Sequence, residues 1–178
     1  MASKKFTVGY ARKISGKTDY KRRMALLKSG KTRLVVRKSL NNILIQFINT
    51  DIQGDKVLVS ANSYELAKKY NWKFSCGNIP SAYLTGYLCG VRAKSKNVKE
   101  AILDIGLQTG GDRLYAALKG VIDAGIAIPH SNEILPDESK IYGQHIIEYA
   151  KKAKGKQFSK IKPDNFKTIM EDIKKKIK

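Results

Sequence analysis

The sequence predicts an α/β fold in which helices pack on a small mixed sheet, an antiparallel meander plus one parallel strand, between basic N- and C-terminal extensions. Three observations lead to it. Short apolar runs separated by turn signals fill residues 33–61, helical and strand patterns alternate after them, and the net charge lies at the two ends of the chain. The 178 residues suit one domain. We expect a basic extended arm at 1–17, a globular domain at 18–150 and a Lys-rich tail with a short helix at 151–178.

The first predicted elements after the arm are a short helix and a meander. Thr18 can cap the helix, with Asp19 in its first turn, and Gly30 ends it. Turn residues at Asn41-Asn42 and Asp51–Asp55 then separate three apolar runs. These runs predict strands at Arg33–Lys38, Ile43–Asn49 and Val57–Ala61.

Two helices are predicted next. Asn62 with Glu65 resembles a capping box that opens a helix ending near Tyr70. Pro80 suits the first turn of a longer helix that ends near Ser95.

Small residues recur on that longer helix, at Ala82, Gly86 and Gly90, so we expect this stripe to let the helix approach the sheet closely. The remaining predicted elements are a buried strand at Ala101–Ile105, a helix that Asp112 caps and that runs to Ala124, a helix from about Glu138 to Ala150, and a short amphipathic helix that includes Phe166 and Ile173.

The distribution of charge predicts a polyanionic partner. Residues 1–40 hold 13 Lys and Arg against one acid, and residues 151–178 hold 11 Lys against three acids. Residues 41–150 hold 11 basic and 11 acidic groups, so the net charge of +20 belongs to the two ends. Nucleic acid is the usual polyanion that relieves such self-repulsion. Charge alone does not separate RNA from DNA or from an anionic membrane.

Several classes of function are not expected. The sequence holds no run of 18 apolar residues, and no apolar segment follows its charged start, so neither a membrane span nor a secretory signal is predicted. Cys76 and Cys89 are expected as free thiols in a reducing cytoplasm. His130 and His145 lack the spacing of metal ligands. We therefore expect no catalytic group, no metal and no cofactor.

A glycine-rich segment at Gly106–Gly111 lies between a predicted strand and a predicted helix, where a phosphate-binding loop could lie. Asp112 and Arg113 follow it, whereas that loop requires Lys and then Ser or Thr. We interpret the segment as a turn. Two alternative functions remain: a nucleotide-dependent enzyme built on this turn, and a basic DNA-binding protein.

The strongest functional signal is the basic segment from Arg12 to Lys38, in which eleven Lys and Arg are interleaved with Tyr20 and hydroxyl side chains. Arg can grip a phosphate with two hydrogen bonds, and Tyr can stack on an unpaired base. Acids are almost absent here, whereas a merely solvated surface carries both signs of charge. The segment therefore favours binding to nucleic acid.

This segment also resembles a known family. The motifs KTDYKRR at 17–23, LLKSG at 26–30 and RLVVRKS at 33–39 are similar to the start of the archaeal and eukaryotic 5S rRNA-binding proteins of the large ribosomal subunit, number eighteen in the universal naming. The similarity continues in order through GNIPSAYLTG at 77–86, LDIGL at 103–107, ALKG at 117–120, DAG at 123–125, IPHS at 128–131 and ILP at 134–136. The long eukaryotic members extend further at the C-terminus, so the archaeal type is expected.

The resemblance implies a non-enzymatic, cytoplasmic ribosomal protein. Family members clamp 5S rRNA and help attach it to the 23S-type rRNA in the central protuberance, beside neighbouring ribosomal proteins. The family fold is a mixed sheet with helices on one side, and the helix that starts at Pro80 is expected to pack on that sheet.

The resemblance also implies which residues contact 5S rRNA: Lys17, Tyr20, Lys21, Arg22, Arg23, Lys28, Arg33, Arg37 and Lys38. The basic segment adds Arg12 and Lys13. Secondary RNA contacts are expected from Lys4, Lys5, His130, Lys151, Lys152 and Lys154.

Overall fold

A four-stranded mixed sheet lies at the centre of the structure, a computed structural model that describes residues 8–152 and 166–177. Strands β1 (Arg33–Lys38), β2 (Ile43–Asp51) and β3 (Gly54–Asn62) form an antiparallel meander. Strand β4 (Ile102–Asp104) pairs in parallel with β1, so the strand order is β3-β2-β1-β4. The predicted α/β class is confirmed, including its meander and its parallel strand.

Eight α-helices are present in the described part of the chain. They are α1 (Ala11–Ile14), α2 (Tyr20–Lys28), α3 (Ser63–Lys69), α4 (Ile79–Ser95), α5 (Asp112–Asp123), α6 (Glu138–Ile141), α7 (Gln144–Lys152) and α8 (Phe166–Ile177). A single 3-10 turn forms at Asn132–Ile134.

One face of the sheet carries the apolar core, which α4 and α5 cover. The side chains of β1 and β2 that join this core are Leu34, Val36, Ile43, Ile45 and Phe47, all fully buried. Their every-second-residue spacing is the period of a strand with one core face. The thiol of Cys89 on α4 donates to the carbonyl oxygen of Ile45 at 3.6 Å, so α4 packs on the sheet as the resemblance implies.

The glycine stripe of α4 approaches a helix, whereas the sequence predicts approach to the sheet. A Cβ atom at Gly86 would collide with the carbonyl oxygen of Ala117, and one at Gly120 would collide with that of Tyr83. Helix α4 therefore packs backbone to backbone against α5 through this stripe. The prediction was wrong because α4 is buried on several sides, and its sequence does not tell which side meets which neighbour.

Helix α8 packs on the same apolar layer. Its residues Phe166, Met170, Ile173 and Ile177 are buried and join the core that includes α4. The ring of Phe166 stacks on Phe74 with 4.2 Å between ring centroids. The predicted amphipathic helix is thus present. The division of the chain into arm, domain and tail stays a prediction.

Two predicted helix starts were wrong by one residue. The cap of α2 is Asp19, whose carboxylate accepts the backbone N–H of Arg22 at 3.1 Å. The Thr18 hydroxyl is instead occupied, because it accepts a hydrogen bond from Nε of Arg12 at 2.9 Å. The cap of α5 is Gly111, and Asp112 is its first helical residue.

Two other segments differ from prediction. Residues 11–14 form one helical turn within the segment predicted to be extended. The helix expected from Glu138 to Ala150 is split into α6 and α7 by Gly143, which adopts a left-handed φ of 73°. A Cβ atom at Gly143 would lie 3.3 Å from Pro80 and 3.2 Å from Phe166, so a close tertiary contact favours a break there. That contact leaves no local signal in the sequence.

Other local predictions are confirmed. The capping box of α3 is present: the side chain of Asn62 accepts from a backbone N–H in the first turn, and the side chain of Glu65 accepts from the backbone N–H of Asn62. Pro80 lies in the first turn of α4. Cys76 and Cys89 are free thiols, and burial raises the pKa of Cys89 to about 12.

Within the described residues, none of the helices is both long and apolar enough to span a membrane.

Candidate nucleic-acid interface

A cleft of about 420 Å³ opens on the face of the sheet opposite to α4 and α5. The N-terminal segment, α2, β1 and the turn after β4 form its walls. Five of the residues that line it are cationic: Arg12, Lys17, Arg22, Arg23 and Arg37. Asp19 and Asp104 also line it, so the cleft carries an excess of positive charge.

Helix α2 reaches both edges of the sheet through polar side chains. Arg23 forms an ion pair of 2.7 Å with Asp55 on β3, one edge strand. Arg22 donates to the carbonyl oxygen of Gly106 at 3.4 Å, just beyond β4, the other edge strand. Every residue of α2 stays at least partly exposed. Polar contacts therefore hold this helix at both edges of the sheet, while its Leu26 and Leu27 are half-buried.

A chain of alternating charges runs beneath the cleft. Arg33 on β1 contacts Asp55 at 2.8 Å and Asp104 at 2.9 Å, and Arg37 contacts the other oxygen of Asp104 at 3.1 Å. Together with the Arg23–Asp55 pair, this gives the order Arg23–Asp55–Arg33–Asp104–Arg37, which we call the charge ladder. Although partial burial raises the pKa of Asp55, hydrogen bonds from Arg23 and Arg33 outweigh it and hold that pKa below its usual 3.8.

Strand register explains the inner part of the ladder. Asp104 lies beside Val35 in the parallel pairing of β4 with β1. Arg33 and Arg37 are two residues before and after Val35, so their side chains leave the same face of the sheet. One carboxylate on β4 can therefore accept from two guanidinium groups on β1.

The turn after β4 holds Arg37 in place. Gly106 has a left-handed φ of 62°, and a Cβ atom there would lie 3.0 Å from the guanidinium carbon of Arg37. Arg37 also donates to the carbonyl oxygen of Asp104 at 2.7 Å. The amide N–H of Gly106 donates to the carboxylate of Asp104 at 2.9 Å. A glycine is needed here because the guanidinium packs where a side chain would start.

The same geometry argues against a nucleotide site at Gly106–Gly111. In a phosphate-binding loop the backbone N–H groups point at the ligand, but here the N–H of Gly106 is taken by a carboxylate of the protein itself. A Cβ atom at Gly110 would collide with the hydroxyl of Tyr115, so protein atoms already lie close to that glycine as well.

Two aromatic rings pack together next to α1 and at the start of α2. Tyr10 and Tyr20 are 4.8 Å apart between ring centroids, with planes inclined by 40°. Tyr10 is 69% exposed, so part of this aromatic pair faces solvent. Tyr20 belongs to the predicted set, whereas Tyr10 was missed because it precedes the dense run of cations.

The predicted RNA-binding residues fall into three groups. Those exposed around α1 and α2 are Arg12, Lys13, Lys17, Lys21, Arg22 and Lys28, and those partly buried are Tyr20, Arg23, Arg37 and Lys38. Arg33 forms the third group, because it is 1% exposed and engaged by two carboxylates. In this fold a phosphate cannot reach Arg33 without displacing its partners.

The predicted secondary contacts are dispersed. His130 is exposed in the loop after α5, and Lys151 and Lys152 are exposed at the end of α7. These three are not among the described residues that line the cleft. Lys4, Lys5 and Lys154 lie outside the described residues.

Sequence reasoning also missed the acids of the ladder. Asp55 belongs to a predicted turn and Asp104 to a predicted strand end, and neither has a local signal for ion pairing. Their partners are distant in sequence, 71 residues away for Arg33 and Asp104. Gln108 was missed for the same reason, although its side chain bonds both the backbone N–H and the carbonyl oxygen of Lys38, at 3.0 and 2.7 Å.

The fold and the cleft define a class: a basic α/β protein whose cationic face suits a polyanion. Comparison with known proteins gives the family. Residues 4–100 and 92–131 match the family described as ribosomal large subunit proteins 60S L5 and 50S L18.

Two similar proteins carry the name large ribosomal subunit protein uL18. That of Korarchaeum cryptofilum is 55% identical over 152 residues, which cover 84% of this chain and 77% of the relative. That of Methanococcus maripaludis is 47% identical over 186 aligned residues, which cover 97% of this chain and 96% of the relative.

The chain therefore belongs to this family of ribosomal large-subunit proteins. The family match confirms the resemblance seen in the sequence. Because the family is structural and not enzymatic, the enzymatic alternative is set aside. Its members act in the large ribosomal subunit, in the cytoplasm.

Proposed function

We propose that the chain binds 5S rRNA through the cationic cleft and helps attach it to the 23S-type rRNA in the central protuberance, beside neighbouring ribosomal proteins. The observation that carries the proposal is the convergence of five cations from α1, α2, β1 and the segment before α2 on one cleft. Scattered surface cations would bind phosphate diffusely, whereas a converging set can hold RNA in one register.

The chemistry of the cleft fits RNA. Arg12, Arg22, Arg23 and Arg37 supply forked donors that match phosphate oxygens, and Lys17 supplies a point charge. The Tyr10–Tyr20 pair offers an exposed ring on which an unstacked base of an RNA loop can stack. Lys13, Lys21, Lys28 and Lys38 extend the positive surface around it. Arg33 is left out of the proposed contact set because the ladder engages it.

We propose that the secondary contacts bind the 23S-type rRNA. His130, Lys151 and Lys152 are exposed and away from the cleft lining, so they can reach an RNA other than the one in the cleft. Lys4, Lys5 and Lys154 are proposed with them on charge alone.

A charge-matched comparison tests the proposal. The triple variant Arg12→Gln, Lys17→Gln, Arg22→Gln removes three cations from the cleft. The control Lys73→Gln, Lys96→Gln, Lys99→Gln removes three exposed cations outside the cleft lining. Filter binding to 5S rRNA should show a loss of about 1,000-fold or more for the cleft variant, since hydrogen bonds to charged groups contribute roughly 1.5–3 kcal/mol each and three are removed. The plot of log affinity against log salt should become shallower by about two to three units. The control should change affinity far less.

Two outcomes would contradict the proposal. Equal losses in the two triple variants would mean that only net charge matters. Equal competition by duplex DNA of the same length would favour the DNA-binding alternative. Attachment is tested separately: a large-subunit rRNA fragment should retain 5S rRNA only when the protein is present.

A further inference from the structure

We infer that two acids of the charge ladder, Asp55 and Asp104, are positioning residues for RNA binding, so that neutralising either one weakens RNA binding although it makes the protein more positive. The inference rests on the proposed function. It deepens that function by assigning a role to two negatively charged residues beneath the cleft that is proposed to bind RNA.

The two ends of the ladder are the groups that reach the cleft. The side chains of Arg23 and Arg37 are 37% and 39% exposed, whereas that of Arg33 at the centre is 2% exposed. Arg23 and Arg37 both line the cleft. The ladder therefore ends in two guanidinium groups at solvent and is buried in the middle.

Each end group keeps donors for a ligand. A guanidinium has five N–H donors. The bonds of Arg37 to Val36, Asp104 and the Asp104 carbonyl use three of them, and the bond of Arg23 to Asp55 uses one. The carboxylates thus fix the orientation of both groups without consuming their capacity to bind phosphate.

Without the acids, the three arginines would repel one another. Arg23 and Arg33 share Asp55, and Arg33 and Arg37 share Asp104, so each carboxylate separates two like charges. Loss of the Asp55 carboxylate would release Arg23 into solvent, where its side chain regains rotamer freedom, and loss of the Asp104 carboxylate would remove one of the three bonds that orient Arg37. A phosphate would then have to order the released side chain again on binding.

Both acids also hold α2. Asp55 accepts directly from Arg23, and Asp104 fixes Gly106, whose carbonyl oxygen accepts from Arg22. These contacts hold α2 at both edges of the sheet. Release of α2 would move Lys21 and Lys28 together with Arg22 and Arg23.

Simple electrostatics predicts the opposite sign. A carboxylate near a bound phosphate repels it, so its removal should strengthen RNA binding and speed association. A positioning role predicts weaker binding. The sign of the change therefore separates the two explanations.

The test measures 5S rRNA affinity of the full chain by filter binding at several salt concentrations. We expect Asp55→Asn and Asp104→Asn each to weaken binding by about tenfold, within the coupling that residues in one ion-pair network show. The control Asp51→Asn removes the same charge from the same hairpin, where the carboxylate accepts from the adjacent backbone N–H of Ile52 at 2.7 Å and forms no ion pair with the described residues. It should leave affinity unchanged or slightly raised.

A double-mutant cycle separates positioning from general damage to the fold. If Asp55 acts through Arg23, then Asp55→Asn should cause no further loss of affinity in the Arg23→Gln background. A loss of equal size in both backgrounds would overturn the inference, as would tighter binding by Asp55→Asn alone. Asp55 is partly exposed, so this variant keeps the test decisive if Asp104→Asn fails to fold. Failure of the unaltered protein to bind 5S rRNA would reject the proposed function and this inference together.

Discussion

The two faces of the sheet are held by different forces. On one face, α4 and α5 pack against Leu34, Val36 and Phe47, and glycines bring the two helix backbones together. On the other face, α2 is attached through ion pairs and hydrogen bonds above the buried Arg33. The apolar face can hold the fold at any salt concentration, whereas the charged face presents cations and remains sensitive to ions. The two faces therefore differ in the forces that hold their helices, apolar packing on one and ion pairs with hydrogen bonds on the other.

The largest expected effect lies on the apolar face. Gly86→Val would place a branched side chain against the carbonyl oxygen of Ala117, where even a Cβ atom collides. Because backbone and not a flexible side chain opposes it, we expect a loss of at least about 4 kcal/mol in the free energy of unfolding. Urea unfolding measures the loss.

The control for that prediction is Gly111→Ala. Gly111 has an extended φ of 165°, and a Cβ atom there meets nothing within 4 Å. It should change stability by less than about 1 kcal/mol, as surface substitutions usually do. Similar stability of the Gly86→Val and unaltered proteins would mean that α4 and α5 are not in backbone contact.

The second effect tests the buried centre of the ladder. Arg33→Met removes the guanidinium from a site that is 1% exposed and leaves Asp104 and Asp55 with one arginine partner each. We expect a loss of about 3 kcal/mol, since each carboxylate loses one of its two guanidinium partners and the buried Asp104 is left with weaker compensation of its charge. The double variant Arg33→Met, Asp104→Leu should recover part of that loss in the same unfolding measurement. Additive losses would show that the two side chains do not act as a pair.

The third effect tests whether α8 packs on the apolar core. Met170 is fully buried, so Met170→Ala should lower the free energy of unfolding by roughly 2–3 kcal/mol through the cavity it leaves. Its affinity for 5S rRNA, measured on folded protein, should not change. Lys175→Ala on the exposed side of α8 is the matched control and should be near neutral in stability. A stable Met170→Ala variant would count against the packing of α8 on the core.

Local signals explain what the sequence could predict. The turn at Asn41-Asn42 and the capping box at Asn62 are each set by residues within a few positions of one another, and they are present as expected. The turn predicted at Asp51–Asp55 is shorter than expected, because β2 continues to Asp51 and β3 begins at Gly54. The break at Gly143 was missed although a glycine is the usual left-handed residue after a helix, and its contact with the distant Phe166 adds no local signal.

The candidate site divides in the same way. The cations of 12–38 stand out by composition alone, and most of them are exposed. The parallel pairing of β4 with β1 brings Asp104 to the buried Arg33, and Asp55 reaches it from β3; composition contains neither contact.

The smallest expected effect, and the sharpest contrast between the two faces, is a dependence on pH. The pKa of Asp55 is lowered in the folded protein, so its contribution to stability is fully present above the unfolded value of 3.8 and is lost as pH falls through the folded value. Asp55→Asn should therefore destabilise the protein at about pH 6, and this difference should shrink at about pH 3, below the unfolded value of 3.8, where the carboxyl of the unfolded chain is mostly protonated. Met170→Ala should destabilise equally at both values, because its neighbours are apolar and do not titrate. Urea unfolding of the three proteins at the two pH values makes the comparison. If the difference in the free energy of unfolding between the unaltered protein and Asp55→Asn stays constant with pH, then the negative charge of Asp55 contributes nothing through Arg23 and Arg33. Packing and uncharged hydrogen bonds would then hold the charged face.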